Sequence, residues 1–182
     1  MSGVVYQVPP MSRGQIRDVA RNIRKICKEL SGQDTPSFPI VEFLDVILSK
    51  HFEDFTLEII DVDQMGDAHG ITFPDEHLIK IRSDVYEGAC KKQGRDRLTM
   101  AHELGHYVLH ADLGMARMAP RESIKPYMSS EWQANAFAGE LLISAEHISQ
   151  CHSPAEASNM FDVTMDAAEY QWKKFKGDGV VR

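Results

Sequence analysis

Cysteine is scarce in this chain. Cys27, Cys90 and Cys151 are odd in number and widely spaced, with no Cys-x-x-Cys pair. A disulfide framework and a cysteine-built zinc site are both excluded. Free thiols of this kind suit a reducing cytosol, so the cytoplasm is the expected location. No long uninterrupted apolar run occurs, so no membrane-spanning helix is expected. The first ten residues lack both a basic region and a long apolar stretch, so no secretory leader is expected. Positive charge is in deficit: 20 Lys and Arg stand against 27 Asp and Glu, a net charge of −7. Nucleic-acid binders usually carry a basic face, so direct nucleic-acid binding is not expected. Only 12 Gly and 8 Pro occur, which excludes collagen-like and low-complexity chains, and 43% hydrophobic residues exclude a wholly disordered one. A length of 182 residues is about that of one domain and long enough to bury a core without staples.

What is present is mostly helical in period. Ser12 and Gln15 form a capping box, followed by Ile16, Val19, Ala20, Ile23, Cys27 and Leu30 at helical spacing, and Ser31-Gly32 stops the pattern. The opposite face carries Arg13, Arg17, Arg21, Arg24, Lys25 and Lys28, read as a solvated helix face or a basic contact surface. A second helix is expected over Ile40–Phe52 and a half-buried strand over Phe55–Val62. Gly70–Phe73 and Leu78–Arg82 flank Pro74-Asp75, which predicts a hairpin. Glu87–Asp96 reads as a loop and Arg97–His110 as a helix. Gly114–Met128, with Pro120 and Pro126, reads as a long loop that could gate a site. A helix is then expected from Ser130, with Gln133 completing a second capping box, followed by helices after Pro154 and Thr164. The expected organisation is a single domain over residues 1–182, with an N-terminal helical extension over 1–39 and a frayed tail over 177–182.

The chemistry concentrates in His102-Glu103-Leu104-Gly105-His106. Residues i and i+4 of a helix project from one face, so both imidazoles can reach one zinc ion. Glu103 sits beside that position and can deprotonate a water held there. A catalytic zinc needs a third protein ligand and an open position. Asp112 lacks the preceding glycine that would fold it back, and Leu109 stands in that place. Glu122, Glu131 and Glu140 are the downstream carboxylate candidates. Glu131 and Glu140 are nine residues apart, on opposite faces of one helix, so only one of them can face the zinc.

Two blocks carry a resemblance: Arg97 to His110, containing Thr99-Met100-Ala101-His102-Glu103-Leu104-Gly105-His106, and Glu131-Trp132-Gln133-Ala134-Asn135-Ala136-Phe137-Ala138 through Leu141-Leu142. Together they resemble the ImmA/IrrE family of zinc metallo-endopeptidases, and weaker likeness covers about Val41 to Phe175. The resemblance implies that His102, His106 and Glu131 bind Zn2+, that Glu103 is the general base, and that Asn135 supports the site. Ile143-Ser144 replaces the family's usual Met-Pro after the Leu-Leu pair, a change at a helix end. His110 reads either as a group behind the ligands or against substrate, or as a helix-end histidine favoured by the dipole. Tyr107 and Tyr127 are candidates to polarise a substrate carbonyl, with packing as the alternative.

The expected fold is α+β and zincin-like: helices packed on a small, mostly antiparallel sheet, with the His-Glu-x-x-His helix central. The hairpin could lend an edge strand to an extended substrate. The function implied by the resemblance is an endopeptidase that cleaves a helix-turn-helix (Xre-type) transcriptional repressor or regulator. The alternative is a toxin bound by an Xre-type antitoxin, with the fold used for binding or for another target.

Overall fold

The computed structural model of the protein describes residues 4–111, 117–120 and 124–181. The chain opens with β1 (Val4–Gln7) and then α1 (Arg13–Ser31). Ser12 and Gln15 close the expected capping box on α1, and Gly32 ends it in the left-handed region at φ 73°. α2 (Ile40–Glu42) runs through a π-helical segment, Phe43–Leu48, into α3 (Ser49–His51), so the second helix is continuous but wide in its middle. β2 (Thr56–Ile60), α4 (Val62–Met65), β3 (Gly70–Phe73) and β4 (Leu78–Arg82) follow.

The sheet order is β2-β4-β3. β4 pairs in parallel with β2 and antiparallel with β3, the latter pairing Gly70 with Ile81 and Thr72 with Ile79. The hairpin is therefore present, turned by a short helical Pro74–Glu76 and by His77 at φ 52°. Ile79 and Ile81 are fully buried on the face that also bears Gly70 and Thr72. The other face is more open to solvent and mixed, with Lys80 paired to Glu58 at 3.1 Å beside the exposed Ile71 and Phe73. Alternation of this kind fixes which face the helices cover.

The remaining elements are α5 (Ser83–Cys90), α6 (Gly94–His110), β5 (Arg117–Pro120), α7 (Ser130–Leu142), α8 (Ala145–Ile148), α9 (Pro154–Phe161) and α10 (Met165–Gly177). The fold is the expected mixture of helices on a small sheet, and with β1 antiparallel to β5 two of its three strand pairings are antiparallel. The core joins Ile16 and Ala20 of α1, Phe43 and Leu44, Ile79 and Ile81, Leu104 of α6, and Phe137 and Leu141 of α7. No helix among the described residues is long and apolar enough to cross a membrane.

Several local expectations are corrected. Glu87–Asp96 is not a loop: α5 continues to Cys90 and α6 starts at Gly94. Gly88 does not break α5; a Cβ there would lie 1.9 Å from Asp96 Oδ2, so its small size admits the start of α6. Within the expected loop over 114–128, residues 117–120 are strand β5; its reading as a gate falls partly outside the described residues. Ser129, not Ser130, caps α7, accepting from the Trp132 N–H, and Gln133 is engaged elsewhere. The expected frayed tail turns back instead, with the Val180 N–H donating to Phe175 O at 2.8 Å and Val181 buried.

The basic face of α1 is also not simply solvated. Arg13 Nε and Arg17 Nε meet the two carboxylate oxygens of Glu140 at 2.7 and 2.8 Å, and the Glu140 side chain has no exposed surface. Arg24 donates to Leu141 O at 2.7 Å. The Arg17 guanidinium is held well above its ordinary pKa, first by its hydrogen bond to Glu140. α1 is thereby tied along α7, although it was expected within an N-terminal extension. Substituting Glu140 by Ala would leave two guanidinium groups facing each other with only the half-exposed Asp178, on Arg17, as counter-charge. Glu140→Ala should lose about 3 kcal/mol of stability in a urea titration, while Glu29→Ala, on an exposed i,i+4 pair, should lose less than about 0.5 kcal/mol.

Candidate metal centre

α6 carries His102 and His106 one turn apart, and α7 crosses it closely. The crossing depends on Gly105: a Cβ there would lie 3.0 Å from Phe137 Cδ1 and 3.1 Å from the Ala134 backbone. On α7, Glu131, Ala134 and Asn135 share the face turned to α6, by their i, i+3 and i+4 spacing. Ser129 caps that helix, so Glu131 lies in its first turn, where a carboxylate suits the dipole.

The three ligand candidates meet. His102 Nε2 and His106 Nε2 are 3.0 Å apart. Glu131 Oε2 lies 3.4 Å from His102 Nε2, and Glu131 Oε1 lies 3.2 Å from His106 Nε2. These are the described residues whose donor atoms gather closely enough to hold a metal ion. The neighbouring imidazoles of His102 and then His106 hold the Glu131 carboxyl far below its ordinary value. Burial pushes the His102 imidazole down, yet the hydrogen bond to Glu131 and the charges of Glu103 and Glu131 outweigh it, so its net shift is upward. Protons and a cation compete for the same lone pairs here.

Behind the ligands lie two supports. Asn135 Oδ1 is 3.1 Å from His102 Nδ1. His110 Nδ1 is 3.1 Å from His106 Nδ1, and His110 Nε2 is 3.2 Å from Gln133 Oε1. His110 is buried, and burial followed by the neighbouring His106 lowers its pKa to about 4.

Glu103, next to His102 on α6, faces the sheet and is 7% exposed. Thr72 Oγ1 lies 2.7 Å from Glu103 Oε2 and 3.1 Å from Glu103 O, so it can donate to either. Gly70 completes this pocket, since a Cβ there would lie 2.6 Å from Glu103 Cγ. β3, an edge of the sheet, is thus locked to the middle of α6.

The other sequence candidates separate cleanly. Glu140 faces Arg13 and Arg17 and not the histidines. Asp112 and Glu122 lie outside the described residues. Tyr107 packs edge-on against Phe55, and its hydroxyl lies 3.3 Å from His77 Nδ1, away from the ligands. The Tyr127 ring is exposed and lies near Lys125 Nζ, while its carbonyl accepts from Met11 N–H and Gln133 Nε2. Gly70, Thr72 and Gln133 escaped the sequence reading. Their partners at the site, Glu103 and His110, are 23 to 33 residues away, and no local spacing reports such contacts.

A family model described as the IrrE N-terminal-like domain, of a peptidase family, matches residues 54–173. Among solved structures the chain is similar to a Mycobacterium tuberculosis transcriptional regulator, at 18% identity and a TM-score of 0.53. That likeness covers 86% of this chain and 46% of the other, so the chain spans less than half the length of the regulator; it concerns the fold alone. No curated protein matches the chain.

His110 sets a pH dependence for the metal-free protein. Its folded value of about 4 lies below the ordinary 6.5, so the unfolded chain takes up the proton first as pH falls. The contribution of neutral His110 is complete above about pH 6.5 and is lost as pH falls through about 4. The loss should reach up to about 3 kcal/mol. Urea titrations of chelator-treated protein across that range should show the slope, and His110→Phe should flatten it.

Proposed function

Since the chain belongs to the peptidase family of the IrrE N-terminal-like domain, we propose that it is a zinc-dependent endopeptidase whose substrate is a helix-turn-helix (Xre-type) transcriptional regulator. The observation that carries the reading is the meeting of His102, His106 and Glu131 around one point, with Glu103 one residue along the same helix. The donor set suits zinc: two imidazole nitrogens and a carboxylate, from two helices, would hold the ion, with water or substrate as a further donor. Three acceptor groups within 3.0 to 3.4 Å of one another also need a cation or a proton between them.

A zinc ion held there would polarise the scissile carbonyl and lower the pKa of a water. Glu103 Oε2 is held by Thr72, which leaves Oε1 to take the proton from the attacking water and return it to the departing amine nitrogen. Asn135 restrains the His102 ring from behind. β3 lies at the edge of the sheet beside α6, with β4 on its inner side. An extended peptide can pair with such an edge through its main chain, and that favours a polypeptide substrate.

The regulator substrate is inferred from the family resemblance. Arg13, Arg17 and Arg24 of α1 are bonded to α7, so they offer no free basic surface for DNA; contact with DNA would come through the partner. Three free cysteines suit a cytoplasmic setting.

The direct test incubates the zinc-loaded protein, and its Glu103→Gln variant, with the helix-turn-helix regulator encoded beside its gene, and reads intact masses. A single cut by the wild type alone is expected. An uncut regulator that co-purifies in a tight complex would replace the peptidase reading with that of a toxin held by its antitoxin. Thr72→Val should lower kcat/KM about tenfold, the loss of one hydrogen bond to a charged group, while zinc content stays at one per chain. Glu131→Ala should lose zinc itself, measured by metal analysis after dialysis.

A further inference from the structure

The imidazole of His106 can bind a cation through Nε2 only if its proton sits on Nδ1. We infer that Gln133 and His110 form a relay that fixes this proton, making both of them positioning residues for the His106 ligand. The inference rests on the metal-site reading above.

The relay begins at backbone. Gln133 Nε2 donates to Pro9 O at 2.8 Å and to Tyr127 O at 2.9 Å. Carbonyl oxygens only accept, so both amide protons are committed and the amide cannot be turned over. Gln133 Oε1 must then be the atom facing His110 Nε2, at 3.2 Å. An amide oxygen only accepts, so His110 carries a proton on Nε2.

The next link follows from the two facing nitrogens. His106 Nδ1 and His110 Nδ1 are 3.1 Å apart, so one donates and the other accepts. His110 is 8% exposed, and its hydrogen-bond partners among the described residues are the Gln133 amide and the His106 ring, with no described carboxylate touching it. A buried imidazole without a counter-charge keeps one proton, and that proton is already on Nε2. His110 Nδ1 is therefore bare and accepts from His106 Nδ1–H. His106 in turn has a bare Nε2, aimed at His102 Nε2 and Glu131 Oε1.

His102 lacks such a chain. Its partner is Asn135 Oδ1, and among the described residues no second contact pins that amide. The His106 arm is the one whose proton position is dictated by main-chain carbonyls. Those carbonyls come from two segments: Pro9, just ahead of α1, and Tyr127, just ahead of α7. The segments are themselves joined, the Val8 N–H donating to Met128 O and the Met11 N–H to Tyr127 O. Orientation of a ligating histidine by the hydrogen bond at its other nitrogen commonly affects metal affinity 10- to 100-fold, on the order seen for ligand-supporting groups.

Two measurements on the full chain test this. Nitrogen-15 NMR of the histidine rings, in metal-free wild-type protein at about pH 8 where free imidazole is neutral, should show the His106 proton on Nδ1 and the His110 proton on Nε2. A His106 proton on Nε2 would overturn the relay, and this needs no variant to fold. Zinc affinity, by competition with a chromophoric chelator, should fall about tenfold or more in Gln133→Leu and in His110→Phe. Folding of each variant is checked by urea titration. If the wild type binds zinc through Glu131 and both folded variants bind it equally well, the relay is wrong and the metal site stands. If the wild type takes up no zinc, the metal-site reading falls, and the relay with it.

Discussion

Gly105 has no Cβ, and α7 lies where that Cβ would be. The Ala134 backbone and the Phe137 ring fill the space to within about 3 Å of it. Everything at the candidate centre depends on this approach. His102 and His106 belong to α6, while Glu131, Asn135 and Gln133 belong to α7. Protein interiors pack closely and transmit displacement, so a wider crossing would draw the carboxylate away from the imidazoles. The same crossing buries Leu104 and Phe137. Packing energy and site geometry are therefore one constraint, met by small residues at the point of contact.

α6 also serves as a divider. One face presents the two ligand histidines to α7, and the adjacent face presents Glu103 to β3. Thr72 and Gly70 hold the buried carboxylate on that side. Glu103 is thus steadied by the sheet and the two imidazoles by α7, and neither support has to compromise the other. β3 meets this region twice, through Thr72 and the small Gly70 at Glu103 and through an edge that no other described strand pairs.

How much of this was legible in the sequence depended on distance along the chain. The His-Glu-x-x-His spacing lies within one helix, so its period alone brings the imidazoles together. Glu131 and Glu140 could be placed on opposite faces of one helix, but the choice between them rested on resemblance, because the crossing with α6 is tertiary. The structure sends Glu140 to Arg13 and Arg17, whose stripe was read as a solvated face or a basic contact surface. Solvation is the usual fate of such a stripe, and only the opposing carboxylate on another helix changes it. Glu87–Asp96, which contains Gly88, was read as a loop because composition cannot separate a glycine that bends a chain from one that makes room. Gln133 was assigned to a cap on the same logic: its spacing fits a capping box, while its amide bonds connect segments far apart in sequence. The hairpin was legible because Pro74-Asp75 and the flanking alternation are local.

The Arg13–Glu140–Arg17 cluster bears on where this protein can be cut. Family likeness begins at residue 54, which invites the view that the first fifty residues are an ornament on a self-sufficient enzyme. The physical unit has a different border. A fragment starting at residue 54 would inherit Glu140 as an anion facing a stripped hydrophobic groove, with its two cations left behind on α1. It would also lose Pro9, one of the two carbonyls that orient Gln133. The homology boundary and the folding boundary of this chain are therefore about forty residues apart, and evolution can trade the segment between them only if the α7 carboxylate changes in step.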